Sequence, residues 1–243
     1  VIPMLNAIRS ETLRSISGLA FLAVLAFAVM IPALLLNSLV GSDVLKALPA
    51  PDASARVFSI TASSFVVSMF VGSYSVTREY YYGSLDRSRV LFSPRRLFWA
   101  KVIASVLTSV ALAAVLGVAW VAVSVWLMSE QGVDFIYSFA ITRIFVGSLV
   151  ASALGAIIGH GVGWAVRNYY VACALVLAIP LAAELPLLLN APDVEKFLPS
   201  GAAAGVTNVA GLDVLPVVAA FAVSLLWAAG ATVLGLILAT RRQ

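Results

Sequence analysis

The chain has 243 residues, 62% of them apolar or aromatic and only 11% charged, with a mean hydropathy of +1.06. Soluble domains carry about a quarter charged residues, so this chain cannot coat itself with a water-compatible surface, and its apolar content excludes intrinsic disorder. Cys173 is the only cysteine, which excludes an internal disulfide framework. What remains is one polytopic, all-α membrane domain over residues 1–243.

Residues 1–16 open that domain. Leu5, Ile8, Thr12, Leu13 and Ile16 recur three or four apart, with Asn6, Arg9, Ser10, Glu11 and Arg14 on the other side. The pattern predicts an amphipathic helix lying in the headgroup plane. Stretches free of Asp, Glu, Lys and Arg then predict six membrane-crossing helices near 17–40, 57–77, 99–127, 141–165, 170–190 and 214–239. Each approaches the about 20 apolar residues a bilayer requires. The first runs through Ala26–Phe27–Ala28 to Val40 and reads as an uncleaved anchor rather than a signal peptide. Leu107–Val125 is a nearly continuous Ala, Val and Leu run, the opposite of the alternating strands of a membrane barrel.

Charge orients the bundle. With the N-terminus inside, eleven of the fifteen Lys and Arg residues fall in inner segments. Lys46, Arg56, Arg143 and Lys196 fall outside. This bias predicts both termini on the cytoplasmic side, and it accounts for the net charge of +4 without any nucleic-acid partner.

The inner loop after the second span, residues 78–96, mixes Arg78, Arg87, Arg89, Arg95 and Arg96 with Tyr80, Tyr81, Tyr82, Leu85, Val90, Leu91 and Phe92. Basic and aromatic residues at a membrane edge serve as interface anchors. Gly83 and Pro94 also cut the loop into pieces and leave a short surface helix between them, which suits docking onto a soluble partner. In the fourth span Gly147, Ala151, Gly155, Gly159 and Gly163 repeat every fourth residue, a stripe that lets a second helix approach closely. His160 stands on the same helix one turn from Trp164, with no carboxylate within four residues, and reads as a packing or interfacial histidine.

In the fifth span Glu184 lies in the outer half, flanked by Pro180 and Pro186. An intramembrane acid faces a cavity or a partner, and here it could satisfy backbone groups that the prolines free. It reads either as a structural acid or as part of an outer gate. The Ala-, Gly- and Pro-rich stretch from Asn190 to Leu212 predicts a re-entrant or interfacial element before the last span. No G-x-x-x-x-G-K-[ST] loop occurs, so the chain has no phosphate-binding loop of that kind and no cofactor is expected on it.

These residues together resemble the permease subunits of type-2 ABC exporters. The resemblance covers essentially the whole chain. It rests on Arg9–Ser10–Glu11 before the first span, and on Arg78–Glu79–Tyr80, Gly83–Ser84, Ser93–Pro94–Arg95–Arg96 and Lys101 after the second. Arg167–Asn168, Glu184 and Leu198–Pro199 extend it, while Ser84 stands where the family more often has Thr. The resemblance implies a bacterial plasma-membrane permease that pairs with a second permease, identical or related. Two separate ATP-binding subunits, carrying ATP and Mg, would drive export of a hydrophobic or amphiphilic compound. It implies a coupling helix around Glu79–Leu91, with Glu79, Tyr81, Gly83, Leu85 and Arg87 engaging the motor. Arg9 and Glu11 would lie on a connecting helix beside it, and Glu184 would shape the outer pathway. Two other classes compete on the residues alone: an ion-coupled carrier using Glu184 and His160, and a membrane scaffold. An intramembrane enzyme is disfavoured, because the chain has one histidine, one cysteine and no G-x-S-x-G elbow.

Overall fold

The structure is a computed structural model that describes residues 4–17, 19–39 and 42–241. Val40, where the first apolar run ends, and Arg242, one of the inner cations counted above, lie outside the described residues. All regular structure among the described residues is helical. Helix α1 (Met4–Ser15) precedes α2 (Leu19–Leu39) and the short α3 (Ser42–Ala47). Helix α4 (Ala50–Phe58) runs through a 3-10 turn, Ser59–Ser63, into α5 (Ser64–Tyr81). Then come α6 (Leu85–Leu91), α7 (Pro94–Glu130) and α8 (Phe139–Val166). Helix α9 (Tyr169–Ala178) continues through a π-helical turn, Ile179–Glu184, into α10 (Leu185–Asn190). The short α11 (Pro192–Glu195), α12 (Pro199–Thr207) and α13 (Val217–Thr240) complete the chain.

Five of these helical runs are long and apolar enough to cross a membrane: Ala50–Tyr81, Pro94–Glu130, Phe139–Val166, Tyr169–Asn190 and Val217–Thr240. Each matches a predicted span to within a few residues, except the first. That run begins seven residues earlier than the charge-free stretch, because Pro49 and Pro51 start a helix that tolerates Asp52 and Arg56 in its opening turns. Helix α2 contributes a shorter described apolar stretch, Leu22–Leu36.

Helix α8 is the hub. Helices α5, α7, α9, α12 and α13 all pack on it, and its glycines explain how so many neighbours fit. A Cβ at Gly155 would lie 2.6 Å from the Phe65 carbonyl oxygen, and one at Gly163 would lie 2.8 Å from that of Ser73. One at Gly159 would collide with the Met69 carbonyl. On the other side Gly161 faces the Ala231 backbone of α13. Between apolar helices in lipid there is no water to expel, so close van der Waals contact between backbones is the main attraction. Hydroxyl pairs reinforce it: Ser152 donates to Ser64 at 2.9 Å, and Thr61 and Ser148 share a hydrogen bond at 3.1 Å. Within α5, Ser73, Ser75 and Thr77 donate to carbonyls three or four residues back, so these polar side chains are satisfied within their own helix.

Helices α1 and α6, the end of α5, the start of α7 and the end of α13 gather at one end of the bundle. Arg167, in a left-handed conformation at φ 56°, turns α8 into α9 there and donates to the Leu238 carbonyl of α13 at 3.1 Å. At the other end the segment of α11 and α12 folds back along α13, and Trp227 donates its indole N–H to the Phe197 carbonyl at 3.0 Å.

Candidate functional site: a buried charge ring under a surface helix

The end that gathers the basic loop contains a closed ring of alternating charges. Lys101, 0% exposed, donates to Glu11 Oε2 at 2.6 Å and to the Ser75 carbonyl at 3.1 Å. It also pairs with Glu79 Oε1 at 3.1 Å. Arg14 closes the circuit, donating to Glu11 Oε1 and to Glu79 Oε1, each at 3.0 Å. Ser88 of α6 adds a bond to Glu79 Oε1 at 3.0 Å. Two carboxylates and two cations balance, which offsets the cost of burying Glu11, Glu79 and Lys101, while Arg14 stays half exposed at the rim. The ring therefore joins α1, the end of α5, the surface helix α6 and the start of α7 at one point.

Local sequence sets this up. Helix α1 has three faces rather than two. Ala7, Glu11 and Ser15, spaced by four, turn inward, while Leu5 and Leu13 remain exposed. Arg9 lies four residues from each of those leucines and is itself exposed, so it shares their stripe instead of opposing it. Arg78 folds over the Tyr74 ring, 5.2 Å from its centroid, and donates to the Arg14 carbonyl at the end of α1. Gly83, at φ 60° with open space around it, ends α5 in a conformation that disfavours any side chain. Helix α6 follows, and extended Phe92 and Ser93 lead to Pro94 at the first turn of α7.

The residues expected to engage a motor thus divide. Tyr81, Gly83 and Arg87 are exposed, together with Tyr82, Val90 and Leu91. Leu85 is buried as the inward anchor of α6. Glu11 and Glu79, 3% and 2% exposed, lie inside the ring and touch no outer surface. Any influence they have on a docked protein passes through the helices they tie together.

His160 is saturated. Trp164 Nε1–H donates to its Nε2 at 2.9 Å, which leaves Nδ1 to donate to Ser75 Oγ at 3.3 Å. Ser75 in turn donates to the Gly72 carbonyl at 2.7 Å. By helical rise His160 stands about 9 Å from the ring end of its helix and Glu184 about 21 Å from the same end of its own. The structure does not bring these two titratable groups together.

Among the described residues, the hydrogen bond to the Glu184 carboxylate comes from α12 rather than from the backbone around the neighbouring prolines. Its Oε2 accepts the Ser200 N–H at 2.8 Å, capping α12 from a distance. That helix begins with Leu198 at its N-cap and Pro199 in its first turn, so it has no side-chain cap of its own. The signal in the sequence was this missing cap. Glu195, 0% exposed, joins Glu184 at the same helix end, where Gly201 leaves room for its carboxylate. Burial, and then the neighbouring Glu184, push the Glu195 carboxyl from its ordinary 4.5 up to about 7. The nearby Gly201 N–H opposes that shift without closing a sound hydrogen bond. The folded chain therefore holds a proton between pH 4.5 and about 7 that the unfolded chain releases. The stabilisation is complete below about 4.5 and is lost as the pH rises through about 7, a swing of about 3 kcal/mol. Thermal unfolding across this range should show the loss, and Glu195→Gln should flatten it. An unchanged slope in the variant would mean that another group titrates.

Among the described residues no three His, Cys, Asp or Glu side chains cluster so as to hold a metal ion. No protein-family model matches the chain, and no curated protein matches it.

Proposed function

We propose that this chain is the membrane-spanning permease subunit of an ATP-driven bacterial exporter, with α6 as the element its motor pushes. The observation that carries the reading is the charge ring. Glu11, Glu79 and Lys101 were each part of the motifs that resemble type-2 ABC permeases, and they converge on one buried point beneath an exposed helix. A ring that joins α1, α5, α6 and α7 would make a push on α6 a movement of two spans and of the surface helix α1.

In this reading α2 is the sixth membrane pass, and the basic end with both termini faces the cytoplasm. Two permeases would form the pathway, above two separate ATP-binding subunits. The cargo is a hydrophobic or amphiphilic compound such as a peptide antibiotic, a drug or a lipid, moved outward through a mostly apolar cleft. Exposed Tyr81, Tyr82, Arg87, Val90 and Leu91 form the grip on the motor.

Purification from the native host in mild detergent tests this directly. A nucleotide-hydrolysing subunit should accompany the chain. The double variant Tyr82→Glu, Arg87→Glu should reduce its recovery about tenfold, the change that about 1.4 kcal/mol of lost contact produces. Both positions are exposed, so folding should be unaffected. Cargo movement by a preparation free of any nucleotide-hydrolysing companion would remove the reading.

A further inference from the structure

The outer end of the bundle contains a cavity of about 90 Å³ between α2, α5, the π-helical turn, α10 and α12. Its walls are almost entirely apolar, with Leu35, Phe65, Leu181 and Leu188 among them. Four polar side chains interrupt that lining, Ser59, Ser63, Glu195 and Ser200, of which Ser59 already donates to the Arg56 carbonyl at 2.7 Å. Both Glu195 carboxylate oxygens and Ser200 Oγ are buried without a hydrogen-bond partner. Buried polar groups normally have partners, so three orphaned oxygens on one cavity wall describe a place where a donor belongs.

The charge balance specifies the donor. A helix N-terminus offers roughly half a positive charge, while two carboxylates converge on α12. Glu184 already takes the Ser200 N–H. Lys196, next in the chain, turns away to pair with exposed Asp193 at 2.5 Å. The site thus has excess negative charge, acceptors without donors and a greasy wall. Calcium and magnesium need about six or more oxygen ligands, most of them carboxylate, carbonyl or water, which one carboxylate and three serine hydroxyls do not supply. An ammonium group offers three N–H donors and one positive charge, and carbons attached to it would meet the leucines.

We propose that this cavity binds an alkylammonium ion, its head donating to Glu195 and Ser200 and its hydrocarbon lying against Leu35, Leu181 and Leu188. As a statement about exported cargo, namely amphiphiles that carry an amine, this rests on the export reading above. As a binding site it stands on the cavity alone.

Calorimetric titration of the full chain in lipid nanodiscs with hexylammonium chloride tests it, with empty nanodiscs subtracted. At about pH 8, where the Glu195 carboxylate is ionised, hexylammonium should bind at least about tenfold more tightly than hexanol, and sodium chloride should not compete. Glu195→Gln, close to isosteric, should weaken hexylammonium about tenfold or more. Leu188→Trp, which fills the cavity and keeps the carboxylate, should also abolish binding. Equal affinity for hexanol, displacement by sodium at matched concentration, or unchanged binding in either variant would overturn the site. Binding by the chain that leaves ATP hydrolysis by a co-purified motor unaltered would keep the site and remove its assignment to exported cargo, whereas the absence of any such motor would remove the export reading and leave the site.

Discussion

Replacing Lys101 by methionine is expected to lower stability by about 3–5 kcal/mol, the usual cost of removing one partner from a buried ion pair. It should also release α1 from the bundle. The lysine is 0% exposed and holds Glu11 and Glu79 together. Without it, the one remaining cation of the ring is Arg14, whose side chain is 48% exposed. Two carboxylates would then share one half-solvated guanidinium, and the less costly outcome is for α1 to swing out and rehydrate Glu11. Thermal unfolding in detergent should show the loss. Trypsin should cut after Arg9 and Arg14 in the variant much faster than in the parent. Adding Glu11→Gln to Lys101→Met should recover much of the stability, because it removes the charge left without a partner. If the single variant keeps its melting temperature and its protection of α1, the ring does not hold the helices. By the same balance Glu79→Lys puts three cations around one carboxylate, so it should loosen this end of the bundle rather than merely alter a surface.

The ring also shows where sequence reading stops. Charge-free runs located the long helices, because a bilayer's thickness fixes their length and forbids unpaired charge inside it. Gly83 and Pro94 placed α6 for equally local reasons, a positive φ in one case and a missing N–H in the other. Glu11 was different. Periodicity put it on the polar side of an amphipathic helix, and its partner Lys101 lies 90 residues away. An inward charge and a solvated one look alike until tertiary contacts exist. Arg9 went astray for a related reason, since a two-faced wheel has no place for a third face against protein.

The site at the start of α12 was only half legible. Glu184 stood out because an acid between two prolines in an apolar run is costly unless something receives it. What receives it is a backbone N–H of α12, and side-chain patterns carry no record of that. Glu195 drew no attention among the acids of the outer segments. Its burial depends on α11 and α12 folding back along α13, which the Ala- and Gly-rich sequence permits without specifying the depth.

Gly159→Val should be the most damaging single change in the apolar body, at more than about 3 kcal/mol, the upper end of overpacking penalties. A Cβ there would collide with the carbonyl, carbonyl carbon and Cα of Met69. All three are backbone atoms in the middle of α5, so no rotamer change relieves the clash. The two helices must separate, and separation also breaks the contacts of Gly155 with Phe65 and of Gly163 with Ser73 along the same stripe. In lipid no hydrophobic driving force restores the association, because the exposed faces find acyl chains as apolar as the ones they left. Gly230 on α13 is the matched control. Nothing stands within 4 Å of a Cβ there, so Gly230→Ala should leave the melting temperature unchanged or raise it, by about 1 kcal/mol of helix propensity. Unfolding of both variants in the same detergent separates packing from propensity. Equal stability of Gly159→Val and the parent would mean that α5 and α8 do not meet backbone to backbone.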